Sequence, residues 1–221
     1  MATVGLRVID DDGFVLAGGF ALRADGFGDR PSDDIDLFTN VMDSDRFDAA
    51  VGKLVGAYRA DGLTADVVRR APSFARISVA DEQGTSKVDL GVDYRQLPPA
   101  RTELGPVLSA QDAVANKVNA LYSRLEPRDL MDIQAVLDSG RYTPDEMLTL
   151  ADEREAVPLD RQMLASQMRA GSRLPDAGFA MYGAAPGLIE RVRQTLAASS
   201  VRLSSPSAEQ DVAQPSAILD E

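Results

Sequence analysis

GGFALRADGFGDRPSDDIDLF (residues 18–38) is the stretch that decides the predicted fold. Gly18 and Gly19 end an apolar run, and Asp34 and Asp36 alternate with apolar residues in a second run. In a strand, side chains two residues apart point to the same face, so the two carboxylates are expected to project together. Carboxylates on one face repel each other unless a cation lies between them, and a divalent metal is the usual partner. We therefore expect a metal site beside a glycine turn whose free N–H groups bind phosphate.

Composition limits the chemistry that this chain can perform. With 221 residues, 44% hydrophobic and 26% charged, it has the length and composition of one mixed globular domain, or of a core domain with a smaller helical companion. Cysteine and histidine are absent, which excludes disulfides, thiolate and imidazole catalysis, and His-ligated zinc. Any catalysis must therefore use carboxylates, Lys, Arg, Ser, Thr or Tyr.

Charge and hydropathy limit the partners. The formal net charge of −12 argues against a broad basic surface for nucleic acid, although it leaves room for a local Arg-rich groove. No run is long and apolar enough for a membrane helix, and no signal peptide opens the chain. We therefore expect a cytoplasmic protein with no membrane partner.

Apolar periodicity and turn residues predict an α/β core followed by helices. A proline-rich connector at 95–108 marks the expected boundary. Residues 1–100 are predicted as the core, 101–198 as a helical region, and 199–221, with few large apolar residues, as a disordered tail. The expected strands are 14–17, 35–38, 64–68, 74–79 and 87–92, and the expected helices begin near residues 20, 45, 109, 127, 143, 159 and 185.

The last predicted strand, 87–92, offers a third carboxylate. Apolar residues alternate with Asp89, so Asp89 faces away from the apolar side, and Asp93 shares its face. Spacing alone leaves both Asp89 and Asp93 open as metal ligands. Each of these residues, like Asp34 and Asp36, also has a simpler interpretation as part of a solvated strand face.

Several motifs occur in a specific order along the chain. They are GGFAL at 18–22, RPSDDIDLF at 30–38, KVDL at 87–90, Lys117, and RDLMD at 128–132. This ordered set resembles the AbiEii/AbiGii-type nucleotidyltransferase toxins, which include the mycobacterial MenT toxins and belong to the DNA polymerase β-like nucleotidyltransferase superfamily. A lone glycine pair or Asp-x-Asp would be a weak signal, whereas the set covers about residues 14–138. Phe20 departs from the family pattern, which usually has Ser or Thr there.

The resemblance implies a fold, a metal and a set of site residues. The implied fold is α/β (α+β), a polymerase β-like nucleotidyltransferase core with a small mixed sheet, followed by a helical C-terminal region. The implied metal is Mg²⁺ in a two-metal site, with Mn²⁺ as the alternative. The implied metal ligands are Asp34, Asp36 and Asp89, which form the catalytic set with Lys117 and Asp132; the implied nucleotide-binding residues are Gly18, Gly19, Arg30, Ser32, Lys117 and Asp129.

Three of these residues have simpler structural interpretations. Lys117 fits a solvated helix face, Asp129 fits stabilisation of a helix N-terminus, and Asp132 fits an i,i+4 neighbour of Arg128. The spacing of the residues does not decide between these interpretations and the ones that the resemblance implies.

The resemblance also implies a function and partners. The protein would be the toxin of a bacterial toxin–antitoxin system. It would transfer NMP from an NTP to the 3′ CCA end of tRNA and so block aminoacylation and translation, and the expected NTP is CTP or UTP. The implied partners are an NTP, the tRNA acceptor end and a cognate antitoxin, and no DNA is expected. The candidates for contact with the acceptor strand are Arg69, Arg70, Arg76, Arg124 and Arg128.

Two other functions stay open. The acidic net charge leaves open transfer to a hydroxyl of a small molecule or a protein, because tRNA would need a concentrated basic patch, and Phe20 suggests a catalytically silent binding or regulatory module. Modification is a hypothesis for control, because a phosphate on Ser32 or Thr39 would place about two negative charges beside the metal and the triphosphate.

Overall fold

A mixed sheet forms the N-terminal half of the chain, and helices form the rest. The computed structural model describes residues 2–30, 32 and 34–205. The strands are β1 (Val15–Leu16), β2 (Asp34–Thr39), β3 (Thr64–Ala71), β4 (Phe74–Asp81), β5 (Gly84–Val92), β6 (Ala100–Thr102) and β7 (Gly105–Val107). The helices are α1 (Ala2–Val8), α2 (Gly18–Ala24), α3 (Ser44–Ala60), α4 (Ala110–Ser123), α5 (Pro127–Asp138), α6 (Pro144–Asp152), α7 (Arg161–Gly171), α8 (Asp176–Ala180) and α9 (Pro186–Ser204), with a 3₁₀ turn at Asp10–Asp12.

The sheet has parallel and antiparallel neighbours. Its strand order is β3-β4-β5-β2-β1-β7-β6. β2 pairs with β5 and β1 pairs with β7 in parallel, and the other neighbouring strands are antiparallel. The predicted mixed α/β fold is confirmed, and the two central strands are the ones that carry the predicted carboxylates.

Alternation along the strands separates a core face from a cleft face. Leu37, Ile77 and Leu90 are fully buried on the core face, which α3 covers with Leu54 and Tyr58. Each such side chain contributes about 1.5–3 kcal/mol through burial, so the face that the apolar residues occupy is strongly specified. The polar residues between them must therefore point to the other face, where α2, α4 and α5 border a cleft.

Local capping explains where the C-terminal helices begin. The Ser109 side chain accepts a hydrogen bond from the Asp112 N–H at the start of α4. Thr143 and Glu146 form a reciprocal capping box at the start of α6. Both starts agree with the sequence prediction. None of the described helices combines the length and apolar character needed to cross a membrane.

The predicted connector at 95–108 is wrong in part, because it contains β6 and β7. β7 joins the sheet beside β1, where Val107 is the register partner of Leu16. The predicted boundary at residue 100 therefore falls at the start of β6. Strands of three residues are too short to show alternation, and their pairing depends on a strand far away in the sequence.

The prediction of a disordered tail is wrong for residues 199–204, which belong to α9. α9 continues to Ser204, and within its last turns Ser200 is buried and Leu203 packs against the hydrophobic core. The Ser200 and Ser204 hydroxyls donate to carbonyl oxygens one turn earlier, so the serines are compatible with the helix. Residues 206–221 of the predicted tail lie outside the described residues.

Candidate active site

The glycine turn at the start of α2 lies directly against Asp36. Gly18 has a φ of +60°, and a Cβ built on it would lie 1.8 Å from Asp36 Oδ2. A Cβ on Gly19 would lie 3.1 Å from Arg30 Nη2 and 3.4 Å from Ser32 Oγ. A side chain at Gly18 would therefore collide with the carboxylate and strain the backbone. The glycines let the first turn of α2, with its free N–H groups, approach the carboxylate closely.

Strand register places the three predicted metal ligands on one face of the sheet. Asp36 of β2 is the register partner of Asp89 of β5 in a parallel ladder. Asp34 lies two residues before Asp36 in β2 and so shares its face. Asp36 and Asp89 both line the cleft. Tertiary structure thus brings together carboxylates that sequence spacing alone does not connect.

Two arginines hold the outer two carboxylates. Arg76 on β4 donates from Nε and Nη2 to Asp89 at 2.7 and 2.6 Å, and Arg128 donates from Nη1 to Asp34 Oδ2 at 2.9 Å. Within residues 2–30, 32 and 34–205, no three acidic side chains are arranged closely enough to hold an ion. A metal at this place would therefore require Asp34 and Asp89 to turn away from their guanidinium partners.

Asp36 lies between these two ion pairs and is the carboxylate most affected by burial. Burial raises the pKa of Asp36 to about 6; the positive charge of Lys117 opposes this, whereas the negative charges of Asp89 and Asp34 add to it. A carboxylate whose ionised form is disfavoured in this way gains from a nearby cation. Adjacent aspartates are also the hard oxygen donors that Mg²⁺ prefers. The residue types and their common face therefore fit Mg²⁺, and Asp36 lies at the centre of the three carboxylates that would hold it.

Lys117 is buried between two carboxylates of α5. Its Nζ lies 3.1 Å from Asp129 Oδ1 and 2.8 Å from Asp132 Oδ2, and its side chain is 8% exposed. Burial opposes the positive charge, but the two carboxylates outweigh burial and raise the pKa of Lys117 above its ordinary value. Lys117 is therefore a positioned cation in the wall of the cleft and does not lie on a solvated helix face.

The ion pairs around Lys117 continue on both sides. Arg124 donates to Asp129 at 2.9 and 3.0 Å, and Arg30 donates to Asp132 at 3.0 and 3.1 Å. Burial acts to raise the pKa of Asp129, but the hydrogen bonds from Arg124 and the charge of Lys117 lower it below its ordinary value. Neither Asp129 nor Asp132 lines the cleft. Both carboxylates hold cations that line the cleft, namely Lys117, Arg30 and Arg124.

Two predicted loop residues have different environments. The Ser32 hydroxyl donates to the Asp34 carbonyl oxygen at 3.1 Å and also lines the cleft, so Ser32 orders the entry to β2 and faces the site. Thr39 is 2% exposed and donates to the Asp12 carbonyl oxygen. The modification hypothesis is therefore restricted to Ser32, because the Thr39 hydroxyl is inaccessible in this fold. Pro31 and Asp33 lie outside the described residues.

The structure separates the two candidates for the third carboxylate. Asp93 accepts hydrogen bonds from Asn116 Nδ2 and from Arg154 Nη2, both at 3.0 Å. These contacts hold it against α4 and the loop after α6. Asp89, by contrast, stands beside Asp36 in the sheet. The register therefore favours Asp89 over Asp93 as the partner of Asp36.

Phe20 does not occupy the cleft. It packs against the hydrophobic core, and the Arg23 guanidinium lies 5.0 Å from its ring centroid. It is not among the side chains that line the cleft. The aromatic replacement therefore leaves the cleft open. Phe20 no longer supports the interpretation of the protein as a catalytically silent module.

The cleft itself is polar and has a volume of about 640 Å³. Of the arginines predicted to contact an acceptor, Arg69, Arg76, Arg124 and Arg128 line it. Arg70 does not, because it lies on the opposite face of β3 and pairs with Asp48 of α3 at 2.5 Å. That part of the prediction is wrong, since successive strand residues point to opposite faces.

The cleft residues that the sequence analysis did not single out include Phe38, Phe74 and Asn116. Phe74 alternates with Arg76 along β4, so the two share a face. Its position beside the carboxylates depends on the pairing of β4 with β5, where Phe74 is the register partner of Gly91. Alternation along one strand does not reveal that pairing.

A comparison with known proteins matches the chain to one family model. The family model described as "Nucleotidyl transferase AbiEii toxin, Type IV TA system" matches residues 4–182. No curated protein sequence matches the chain.

Three solved structures have a similar fold. A presumed nucleotidyltransferase from Helicobacter pylori is 18% identical, with a TM-score of 0.53 over 91% of this chain and 90% of that chain. JHP933 from Helicobacter pylori is 19% identical, with a TM-score of 0.50 over 91% and 87%. MenT4, a nucleotidyltransferase toxin from Mycobacterium tuberculosis, is 18% identical, with a TM-score of 0.56 over 91% and 84%. At these identities the likeness concerns the fold.

Proposed function

Because this chain belongs to the AbiEii family of nucleotidyl transferase toxins, we propose that it transfers a nucleoside monophosphate from an NTP to the 3′ CCA end of tRNA, with Mg²⁺ as its metal. Family membership makes it a nucleotidyltransferase and the toxin of a type IV toxin–antitoxin system. The acceptor, the metal and the preferred nucleotide, CTP or UTP, are the proposed parts. A cognate antitoxin, a cytoplasmic location and a block of aminoacylation belong to the same proposal.

The observation that supports the proposal most directly is the meeting of three kinds of group at one cleft. A glycine turn, represented by Gly18, borders it on one side, Asp36 and Asp89 form its floor, and Lys117 lies in its wall. Nucleotidyl transfer needs these groups together, because it must hold a triphosphate, bind a divalent metal and receive a proton from the attacking hydroxyl.

The glycine turn and Lys117 hold the leaving pyrophosphate in this mechanism. The acceptor oxygen attacks the α-phosphorus, a new O–P bond forms, and the bond from that phosphorus to the bridging oxygen of the pyrophosphate breaks. Lys117 stabilises the charge that develops on the leaving oxygen, since it is a fixed cation. Arg30 and Arg124 maintain its position indirectly through their contacts with Asp132 and Asp129.

The three aspartates account for the metal and the proton. Asp34, Asp36 and Asp89 would hold Mg²⁺, and Asp34 and Asp89 would exchange their contacts with Arg128 and Arg76 for the metal. When bound there, Mg²⁺ would lower the pKa of the attacking hydroxyl and neutralise charge on the reacting phosphate. Asp89 lies on β5, away from the glycine turn, and this position supports a role for its carboxylate as the acceptor of the hydroxyl proton.

A polyanionic acceptor agrees with the lining of the cleft. Arg69, Arg76, Arg124 and Arg128 border it, although the chain as a whole carries a net charge of −12. With Arg30 and Lys117, six cations of the described residues line the cleft beside four acidic residues, Asp36, Asp89, Asp93 and Glu126. This local excess of positive charge supports the binding of an RNA end by an acidic protein.

The proposal is tested by incubating the protein with Mg²⁺, total tRNA and each of the four α-labelled NTPs. We expect label at the 3′ end of tRNA with CTP or UTP, and no label with Asp36→Asn. Periodate-oxidised tRNA is the matched control, because it lacks the terminal hydroxyl. Label on a protein or an aminoglycoside in place of tRNA would contradict the proposal that tRNA is the acceptor. The absence of label on every acceptor would contradict the proposed transfer reaction.

A further inference from the structure

Phe74 is an aromatic side chain of the cleft to which neither the core nor the proposed chemistry assigns a role. It lies at the start of β4 and is half-buried in the cleft lining. Phe38, the other phenylalanine of the cleft, packs against the hydrophobic core, whereas Phe74 is not among the described residues that do so. The ring of Phe74 therefore presents apolar surface to the cleft.

Two guanidinium groups flank this ring. The Arg69 and Arg76 guanidinium carbons lie 5.3 and 6.0 Å from its centroid. Arg76 is engaged by Asp89. In the part of the chain that the structure describes, the Arg69 side chain makes no ion pair or hydrogen bond, and its guanidinium lies over the Phe74 ring. An aromatic face beside an uncommitted arginine is the combination that binds a base and its phosphate in single-stranded nucleic acid.

The register of β4 and β5 sets the distance between Phe74 and the Asp89 carboxylate. Arg76 is the register partner of Asp89, and Phe74 lies two residues before Arg76 on the same face. Diagonal neighbours across a strand pair are about 7–8 Å apart at their Cα atoms. Phe74 therefore stands about one nucleoside away from the carboxylate that is placed to receive the hydroxyl proton.

The sheet order places Phe74 on the acceptor side. Along β4-β5-β2-β1, Phe74 comes first, Asp89 and Asp36 follow, and the glycine turn after β1 comes last. In an in-line displacement, the attacking and leaving oxygens are on opposite sides of the phosphorus. If the glycine turn holds the pyrophosphate, the attacking hydroxyl must arrive from the side of β4.

We propose that Phe74, with Arg69 beside it, forms a stacking seat for the terminal base of the RNA acceptor and so delivers its ribose hydroxyl to Asp89. This inference rests on the proposed function, because it takes RNA as the acceptor. It adds a substrate contact on β3 and β4 that the catalytic set does not contain. The Arg69 guanidinium extends the platform and neutralises a phosphate of the same strand.

The chain offers closely matched variants for the test. Phe74→Ala removes the ring, and Phe74→Tyr keeps it. Arg69→Ala removes the uncommitted cation, and Arg70→Ala removes the same charge from the next residue of β3, which faces α3 and pairs with Asp48. Thermal unfolding of each variant shows whether the fold is retained.

The measurement is steady-state transfer of labelled CMP or UMP to tRNA, with KM determined separately for tRNA and for the NTP. We expect Phe74→Ala to raise the KM for tRNA about tenfold or more, since stacking on an aromatic side chain contributes that order of affinity for each base. Phe74→Tyr should restore the wild-type value. Arg69→Ala should raise the KM for tRNA, and Arg70→Ala should not, with the KM for the NTP unchanged in all four variants.

A binding measurement makes the test independent of turnover. A single-stranded RNA ending in CCA, with 2-aminopurine as its last base, should lose fluorescence on binding to the wild-type protein and not on binding to Phe74→Ala. An unchanged KM for tRNA in Phe74→Ala, or a raised KM for the NTP alone, would contradict the stacking role of Phe74. Neither result would contradict the proposed transfer reaction. Failure of the wild-type protein to label or bind any RNA would instead overturn the proposed function on which the seat depends.

Discussion

Asp36 and Asp89 are register partners in the parallel ladder between β2 and β5. Their carboxylates project from the same face of the sheet, on strands that are about 4.8 Å apart. Like charges in this arrangement destabilise a sheet, and no arginine in the described residues is hydrogen-bonded to the Asp36 carboxylate as Arg76 is to that of Asp89. The pair therefore lowers the stability of the protein when no cation lies beside it, and this cost can be measured.

Asp36→Asn should stabilise the metal-free protein while abolishing transfer. The pKa of Asp36 is about 6 in the folded protein, against an ordinary value of 3.8, so the folded state binds the proton more tightly than the unfolded chain. Ionisation of Asp36 therefore lowers the free energy of unfolding as the pH rises from about 4 to above 6. The gain from Asn should reach roughly 2–3 kcal/mol at pH 8 and be smaller at pH 5.

Urea unfolding in EDTA at pH 5 and pH 8 measures this difference. Asp34→Asn is the control, because Asp34 already has an ion pair with Arg128 and its replacement should give no such gain. A lower stability of Asp36→Asn at pH 8 would contradict the assignment of Asp36 as a destabilised carboxylate.

Mg²⁺ should raise the melting temperature of the wild-type protein, and EDTA should reverse the effect. A ligand at a hundredfold excess over its dissociation constant adds about 2.7 kcal/mol to the free energy of unfolding. The shift should disappear in Asp36→Asn and Asp89→Asn and persist in Asp93→Asn, since Asp93 is held by Asn116 and Arg154. Differential scanning fluorimetry over a Mg²⁺ titration tests this prediction, and an equal shift in Asp36→Asn would place the cation elsewhere.

Lys117→Met should destabilise the protein by about 3–5 kcal/mol, because it leaves Asp129 and Asp132 without their shared buried cation. The double variant Lys117→Met/Asp129→Asn should recover part of that loss, since it also removes one of the two buried carboxylates that lose the lysine, although Asp129 keeps its contacts with Arg124 in the single variant. Urea unfolding of the wild type, both single variants and the double variant gives the coupling energy. Additive effects would show that Lys117 and Asp129 do not interact in solution.

Gly18→Ala should abolish transfer and destabilise the fold by a few kcal/mol, because the new Cβ would lie 1.8 Å from Asp36 Oδ2 in a backbone conformation that alanine disfavours. Gly52→Ala is the matched control: it lies on an exposed face of α3, where a Cβ meets no atom within 4 Å. Helix propensity predicts a gain of up to about 1 kcal/mol for that variant. Thermal unfolding and the transfer assay separate the two, and full activity of Gly18→Ala would show that close approach of the backbone is not needed.

The local elements around the site were predictable from the sequence. Alternation predicted β2 and β5, glycine predicted the turn before α2, and Ser109 and Thr143 predicted the starts of α4 and α6. Each of these signals arises from interactions within a few residues of the chain. The hairpin of β6 and β7 and the last turns of α9 were not predictable in this way, because their stability comes from pairing and packing with distant segments.

The roles of individual charged residues depended more on tertiary structure. Spacing left Asp89 and Asp93 equivalent, and pairing of β5 with β2 separated them. Arg69 and Arg70 are adjacent in sequence, yet one lies in the cleft and the other pairs with α3. The assignments of the metal ligands and nucleotide-binding residues stay predictions, now with geometry that makes each of them testable.

The sequence by itself determined the fold class and the family of this protein, because glycine conformations, apolar alternation and an ordered set of acidic and basic motifs are properties of the chain. Tertiary structure decided which side chains meet: Asp36 with Asp89, Lys117 with Asp129 and Asp132, and Phe74 with Arg69 in the cleft. The physical reason is that strand order and register depend on burying one face of the whole sheet, which involves residues far apart in the sequence. A sequence motif contains only residues that are neighbours along the chain.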